Sequence, residues 1–253
     1  MASGLGDINW TLRKAPRIAW FLASQALLRS LDQKMARQPR EVELADAVER
    51  EAPHGDVDAV LATMDAFSRR RRWLMSMGPD KGAVVTAAMQ DPSIRNVLEI
   101  GTYCGYSALL VARHLSRRGG RLVTLEISRR NSAVARRVIA HAGLEEVAEV
   151  RNEVLAKSID AFHAPFDLIL LDHWKGEYLT DIKRLESAAL LRPGTVVIAD
   201  NVGFFRVPDY LDYVRHGGHY DSRYVSGTVE YNPQLPDGVE ISTYRGWRGA
   251  AIR

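Results

Sequence analysis

The sequence predicts an α/β fold: a doubly wound, mostly parallel sheet with an antiparallel C-terminal edge, preceded by N-terminal helices. Three observations carry this. From residue 96 onward, short apolar runs alternate with helical stretches: 97–100 then 107–116, 122–126 then 130–142, 147–151 then 154–162, 166–171 then 178–190, and finally 195–199. Short apolar runs separated by helices are buried parallel strands joined by crossovers. The first run enters a glycine turn and then a helix, as Val97-Leu98-Glu99-Ile100-Gly101-Thr102-Tyr103-Cys104-Gly105-Tyr106-Ser107. After residue 202 the pattern is strand-like around 221–231 and 239–245, with Pro233, Pro236, Asp237 and Gly238 as the expected turn between the two.

The elements before the sheet read as helices. Apolar residues recur at helical spacing over 41–51 (Val42, Ala45, Val48) and 57–70 (Val60, Leu61, Met64, Phe67), and Pro53-His54-Gly55 separates the two. Further upstream, Ile18 to Leu28 is the longest apolar-leaning run and follows Arg13, Lys14 and Arg17. It is shorter than the ~20 apolar residues a bilayer span requires. Arg29, Asp32 and Lys34 follow it where a signal peptide would place a small-x-small cleavage site. An amphipathic helix packing on the domain, on a partner or on a membrane surface fits better. The expected organisation is a helical extension over 1–40, with a membrane or partner contact over 8–37, and a single domain over 41–253.

Composition sets the class. With 253 residues, 46% hydrophobic and 26% charged, the chain can bury one large core without staples. Its single cysteine, Cys104, excludes an internal disulfide framework and a cysteine-rich zinc site, which fits a reducing, cytoplasmic setting. The net charge of +3 is spread over the chain except at Arg69-Arg70-Arg71-Arg72. No wider basic stripe surrounds that run, so it reads as a solvated helix face and no nucleic-acid partner is expected.

The chemistry lies at the strand ends, where such sheets hold ligands. The turn reads E-x-G-x-x-x-G, so the backbone can be approached closely at Gly101 and Gly105, while the third glycine of the pyrophosphate fingerprint is absent. Tyr103 and Tyr106 would crowd a pyrophosphate over the helix N-terminus. Glu99 and the aromatic faces would favour a cationic ligand instead. Glu126, ending the second strand, is placed to accept a ribose diol. S-adenosylmethionine meets these conditions. A second cluster, Asp172 with Asp200-Asn201, offers hard oxygen donors suited to Mg2+, with positions left for a vicinal aromatic diol. Lys175 is close enough to serve as general base, or it is a surface lysine beginning a helix. His173 reads as a packing or adenine-edge residue, and Trp73 and Trp174 as walls for a flat substrate or as core.

These segments resemble catechol O-methyltransferases: W-L-M-S-M-G-x-x-K-G at 73–82, V-L-E-I-G-T-Y-C-G-Y-S at 97–107, L-D-H-W-K at 171–175, G-T-V-V-I-A-D-N-V at 194–202 and V-E-Y at 229–231. The resemblance runs from about residue 40 to 246 and implies a Rossmann-like methyltransferase sheet. It implies that Met77, Glu99, Gly101, Tyr103, Gly105, Ser107, Glu126, Ile127, Asp172 and His173 line the S-adenosylmethionine site. Asp172, Asp200 and Asn201 would bind Mg2+, and Lys175 would take the proton of the attacking hydroxyl. Glu230 would hydrogen-bond the second hydroxyl, and Trp73, Met75, Trp174, Lys175, Asn201 and Phe205 would surround the diol. Two places depart from the family. Leu155-Ala156 stands where a Ser-Gln pair touches the adenine, and Phe204-Phe205 stands where a proline gate follows the Asp-Asn pair. The expected reaction is methyl transfer to one hydroxyl of a catechol-like diol. A larger phenolic substrate, or a binding protein without turnover, remains the alternative.

Overall fold

The computed structural model describes residues 38–205 and 207–246. Met1–Glu43 and Leu44–Arg253 form two compact units; the sheet belongs to the second. The expected extension over 1–40, apart from its last three residues, and the expected contact over 8–37 lie outside the described residues.

Among the described residues, three helices precede the sheet: α1 (Arg40–Glu51), α2 (Val57–Arg70) and α3 (Gly78–Ala88). The side chain of Asp56 caps α2 by accepting from the Ala59 amide at 2.9 Å. The arginine run at its end is used within the fold: Arg71 pairs with Glu51 at 2.8 Å and Arg69 lies 5.4 Å from the centre of the Tyr231 ring.

The alternating section follows the expected order: β1 (Asn96–Ile100), α4 (Tyr106–Leu115), β2 (Arg121–Leu125), α5 (Arg129–His141), β3 (Ala148–Arg151), α6 (Leu155–Ser158), β4 (Leu168–Leu171), α7 (Tyr178–Ser187) and β5 (Val196–Ala199). The helix expected over 154–162 is shorter, since α6 passes into a 3-10 turn at Ile159–Ala161. Two helices were not foreseen, α3 and α8 (Pro208–His216). Each has a proline in its first two positions and an aspartate in its first turn, a start that suits the unpaired N–H groups and the positive end of a helix.

The sheet has seven strands in the order β3-β2-β1-β4-β5-β7-β6, counting β6 (Tyr220–Val229) and β7 (Asn232–Tyr244). The first five are parallel and β7 is antiparallel to both β5 and β6. Leu98, Ile100, Ile169, Leu171, Val197 and Ala199 share one buried cluster with Tyr178, Ile182 and Leu185 of α7. The winding reverses between β1 and β4, and in such sheets ligands lodge beyond the carboxyl ends of the strands at that point.

The C-terminal hairpin corrects one expectation. Its turn is Glu230-Tyr231, with Tyr231 at φ 58, and Pro233, Pro236, Asp237 and Gly238 belong to β7. Strand β5 pairs only with residues 240–243 of β7, so the preceding half of β7 has a neighbour on one side alone. Proline is tolerated where the N–H side is unpaired. The hairpin therefore overhangs the end of the parallel sheet and carries Glu230 and Asp237 with it.

Candidate active site

Gly101 follows β1 at φ 100, and a Cβ there would lie 2.3 Å from the Asp172 carbonyl oxygen after β4. No side chain fits, so the ends of β1 and β4 close on each other. Gly105, at φ 90, is the N-cap of α4. This conformation favours glycine and starts the helix that brings Ser107 back toward the strand.

Glu99 is fully buried. Its register partner on β2 is Thr124, whose hydroxyl donates to Glu99 Oε2 at 2.5 Å. Thr102 in turn donates to Thr124, since the Thr124 proton is already committed. Ser107 also hydrogen-bonds the carboxylate, whereas Oε1 has no partner. Burial pushes this carboxyl up to about 7, against the pull of Ser107 and Thr124. A buried carboxylate with an unpaired oxygen is a receptor for a cationic N–H donor.

Glu126 is held at both oxygens, by the Tyr103 amide at 2.8 Å and the Ser128 amide at 2.8 Å. Its carboxylate is thus fixed beyond β2, and burial raises its pKa against these backbone bonds. Met77 is buried just before α3 and Ile127 is exposed. His173 Nε2 stands 3.0 Å from Asp181 Oδ2.

The second cluster forms at the ends of β4 and β5. The Asp172 amide bonds Ile100 O at 2.8 Å and the Asp200 amide bonds Leu171 O at 2.9 Å, which places the two aspartates on neighbouring strand ends. Lys175 Nζ donates to Asp172 Oδ1 at 3.0 Å and to the Tyr178 hydroxyl at 2.7 Å. Tyr178 is itself buried and donates to Leu171 O at 2.6 Å. Burial pushes the Asp200 carboxyl up to about 7; Lys81 opposes this, and Asp172 and Glu230 add to it.

Asn201 adopts φ 56, a left-handed conformation that asparagine tolerates better than most residues. Its Nδ2 donates to Glu230 Oε1 at 3.1 Å and to Asp237 Oδ2 at 2.7 Å. Two carboxylate acceptors fix the amide's orientation and leave Oδ1 facing away from them. Lys81 Nζ lies 2.9 Å from Asp200 Oδ1, 2.8 Å from Glu230 Oε1 and 2.8 Å from Asp237 Oδ2. Neither Lys81 nor Asp237 was expected to be in the site: Lys81 entered only as the lysine of the W-L-M-S-M-G-x-x-K-G segment and Asp237 only as a turn residue. The available signal was that Lys81 sits four residues from both Met77 and Val85, on a face that is otherwise apolar and buried.

Asp200 Oδ2 is buried without a partner. Among the described residues, the four carboxylates of Asp172, Asp200, Glu230 and Asp237 meet only the two ammonium groups of Lys81 and Lys175. When all are ionised, two negative charges are left over, which matches a divalent cation. Among the described residues no three His, Cys, Asp or Glu side chains form a metal cluster; the expected set has only two such residues, with an asparagine amide as the third.

Five large hydrophobic side chains are exposed among the described residues: Met75, Ile127, Trp174, Phe205 and Tyr224. The first four are residues expected to touch a ligand. Trp73 donates its indole N–H to Glu230 O at 3.0 Å, and the Phe205 ring lies 5.9 Å from Lys175 Nζ. Phe204 is buried edge-on against Phe205. At the other departure from the family, Leu155 is buried in the core cluster, so only Ala156 of that pair is exposed.

Residues 55–207 match the O-methyltransferase family. The chain belongs to this family. It is similar to catechol O-methyltransferase B of Danio rerio, at 40% identity over 91% of each chain. It is also similar to catechol O-methyltransferase of Bos taurus, at 33% identity over 92% of this chain and 87% of the relative. Among solved structures, an O-methyltransferase from Bacillus cereus in complex with SAH superimposes with a TM-score of 0.62, at 24% identity, over 87% of this chain and 97% of its own. The expected doubly wound methyltransferase sheet with an antiparallel edge is borne out. No helix among the described residues of this O-methyltransferase is long and apolar enough to cross a membrane.

Proposed function

We propose that the protein transfers a methyl group from S-adenosylmethionine to one hydroxyl of a catechol-like vicinal diol, with Mg2+ at Asp172, Asp200 and Asn201. The observation that carries this reading is the pair of unpartnered buried carboxylate oxygens, Glu99 Oε1 and Asp200 Oδ2. One suits the donor's amino group and the other a hard cation, and they belong to strands separated only by β4. The relatives named catechol O-methyltransferase support the same acceptor.

Each residue then has a task. Glu99 receives the ammonium group of the donor and Glu126 its ribose hydroxyls. Gly101, Tyr103, Gly105 and Ser107 would line its site, together with Met77, Ile127 and His173. Mg2+, held by Asp172, Asp200 and Asn201, would supply positive charge beside the attacking hydroxyl and so favour its deprotonation. Lys175 Nζ, as the neutral amine, takes the proton of the attacking hydroxyl and becomes the ammonium that pairs with Asp172. Glu230 Oε2 accepts a hydrogen bond from the neighbouring hydroxyl, since Oε1 is already held by Lys81 and Asn201. Trp73, Met75, Trp174 and Phe205 enclose the ring and exclude water from the displacement.

A panel assay checks the acceptor. Catechols are expected to turn over and the corresponding monophenols to fail, because the roles proposed for Asn201, Lys175 and Glu230 need two oxygens. Preference for monophenols would overturn the diol assignment.

The Glu99 carboxyl gives a pH signature. Its folded pKa of about 7 lies above the ordinary 4.5, so between those values the native protein holds a proton that the unfolded chain releases. The stability this adds to the ligand-free protein is complete below pH 4.5 and is lost as pH rises through about 7. Binding of an ammonium ligand has the opposite dependence, because it needs the carboxylate. Calorimetry with S-adenosylhomocysteine is expected to show affinity rising from pH 6 to pH 8, whereas a flat profile would contradict the assignment of Glu99.

A further inference from the structure

We propose that Lys81, locked by Asp237, is a positioning residue that sets the metal affinity of the site and the seat of the diol. It does so by fixing Asp200, Asn201 and Glu230 relative to one another. This rests on the roles given to those three residues above.

An ammonium group has three donors. Lys81 Nζ has three carboxylate oxygens within 2.9 Å, one from each of Asp200, Glu230 and Asp237, and is 1% exposed. The three acceptors come from two separate places, the end of β5 and the overhanging hairpin, and Lys81 reaches both from α3. A buried ion pair is weak evidence of stabilisation, and an apolar side chain of similar volume often does as well or better. Met77 and Val85 show that this face of α3 otherwise takes apolar residues. Gly227 on β6 leaves room for the lysine, since a Cβ there would stand 3.2 Å from Lys81 Cγ. What an ammonium supplies here, and a methionine could not, is a common direction for three oxygens.

Asp237 is the part of this device that touches no proposed ligand. Its Oδ1 accepts from the Phe204 amide at 2.9 Å, and its Oδ2 accepts from both Lys81 at 2.8 Å and Asn201 Nδ2 at 2.7 Å. Both oxygens are thus occupied as acceptors. Asparagine has only one acceptor oxygen, so at this position it must turn an NH2 group toward either Phe204 or the Lys81-Asn201 pair. Fixing the Asn201 amide from behind also determines where its Oδ1 points, and fixing Glu230 Oε1 determines where Oε2 meets the second hydroxyl.

The test uses Asp237→Asn and Lys81→Met in the full-length protein, with thermal melting to establish folding. Mn2+ binding is followed by the resonance signal of the free ion, S-adenosylhomocysteine binding by calorimetry, and the ratio of the two monomethyl products of an asymmetric catechol by chromatography. Loss of a residue behind a ligand shell typically costs about 10–100-fold in metal affinity. Asp237→Asn is expected to weaken Mn2+ binding by that factor and to shift the isomer ratio, while affinity for S-adenosylhomocysteine is unchanged. Lys81→Met is expected to do the same more strongly, and if it fails to fold, Asp237→Asn decides. A folded Asp237→Asn protein with wild-type Mn2+ affinity or a wild-type isomer ratio would overturn the proposal. So would an equal loss of S-adenosylhomocysteine affinity, which marks general loosening. A wild-type protein that binds no Mn2+ would instead sink the metal reading itself.

Discussion

Replacing Lys175 by alanine lowers the turnover of a catechol by on the order of 10²–10⁴, the usual contribution of a positioned general base, and leaves S-adenosylhomocysteine binding intact. The expectation follows from where Nζ sits. It is 3.0 Å from Asp172 Oδ1 and 2.7 Å from the Tyr178 hydroxyl, at the end of β4 and beside the exposed ring of Phe205. Tyr178 supports the lysine without competing for the role, because burial pushes its own pKa well above the ordinary value. Lys175 is part-buried at the site rim and absent from the hydrophobic core, so its removal costs little stability. Turnover should be measured under substrate saturation and calorimetry run on the same preparation. Unchanged turnover would remove Lys175 from the chemistry, and a parallel loss of donor binding would make it a structural residue.

The second large effect is on the donor side. Glu99→Gln is expected to weaken S-adenosylhomocysteine binding by roughly 10–100-fold, corresponding to about 1.5–3 kcal/mol for a hydrogen bond to a charged group. Glutamine keeps the shape of the side chain and can still accept from Thr124, but it presents no charge to an ammonium group. The same substitution is expected to abolish the rise in affinity between pH 6 and pH 8. It should also make the ligand-free protein less dependent on pH, because the buried titrating group is gone. Wild-type affinity in this variant would place the ligand elsewhere.

The donor half of this site was legible in the sequence because it is local. A strand, a glycine turn and a helix follow one another within eleven residues, 97–107, and parallel register then brings Thr124 to Glu99 without further information. Asp172 and Asp200-Asn201 were legible for a related reason: each ends an apolar strand, and the winding rule places such ends side by side. The hairpin was not legible. Pro233, Pro236 and Gly238 look like turn residues, and only the short pairing between β5 and β7 explains why a strand can hold them. Helix α3 was hidden because a lysine occupies the middle of its buried face, and α8 because it buries only Tyr210 and Val214. Lys81 meets Glu230 and Asp237 across separations of 149 and 156 residues. No local pattern reports a contact of that kind.

The most direct test of the central claim, that a donor cradle and a cation-bound acceptor site work as two separable halves on adjacent strand ends, is a chelator experiment on one preparation. Catechol turnover and S-adenosylhomocysteine affinity are measured with and without excess chelator, and Mg2+ is then restored. The expected result is turnover abolished by chelator and recovered with Mg2+, while the affinity for S-adenosylhomocysteine stays the same throughout. Turnover that persists in chelator would contradict the account, because Asp172, Asp200 and Asn201 would then have no part in activating the hydroxyl.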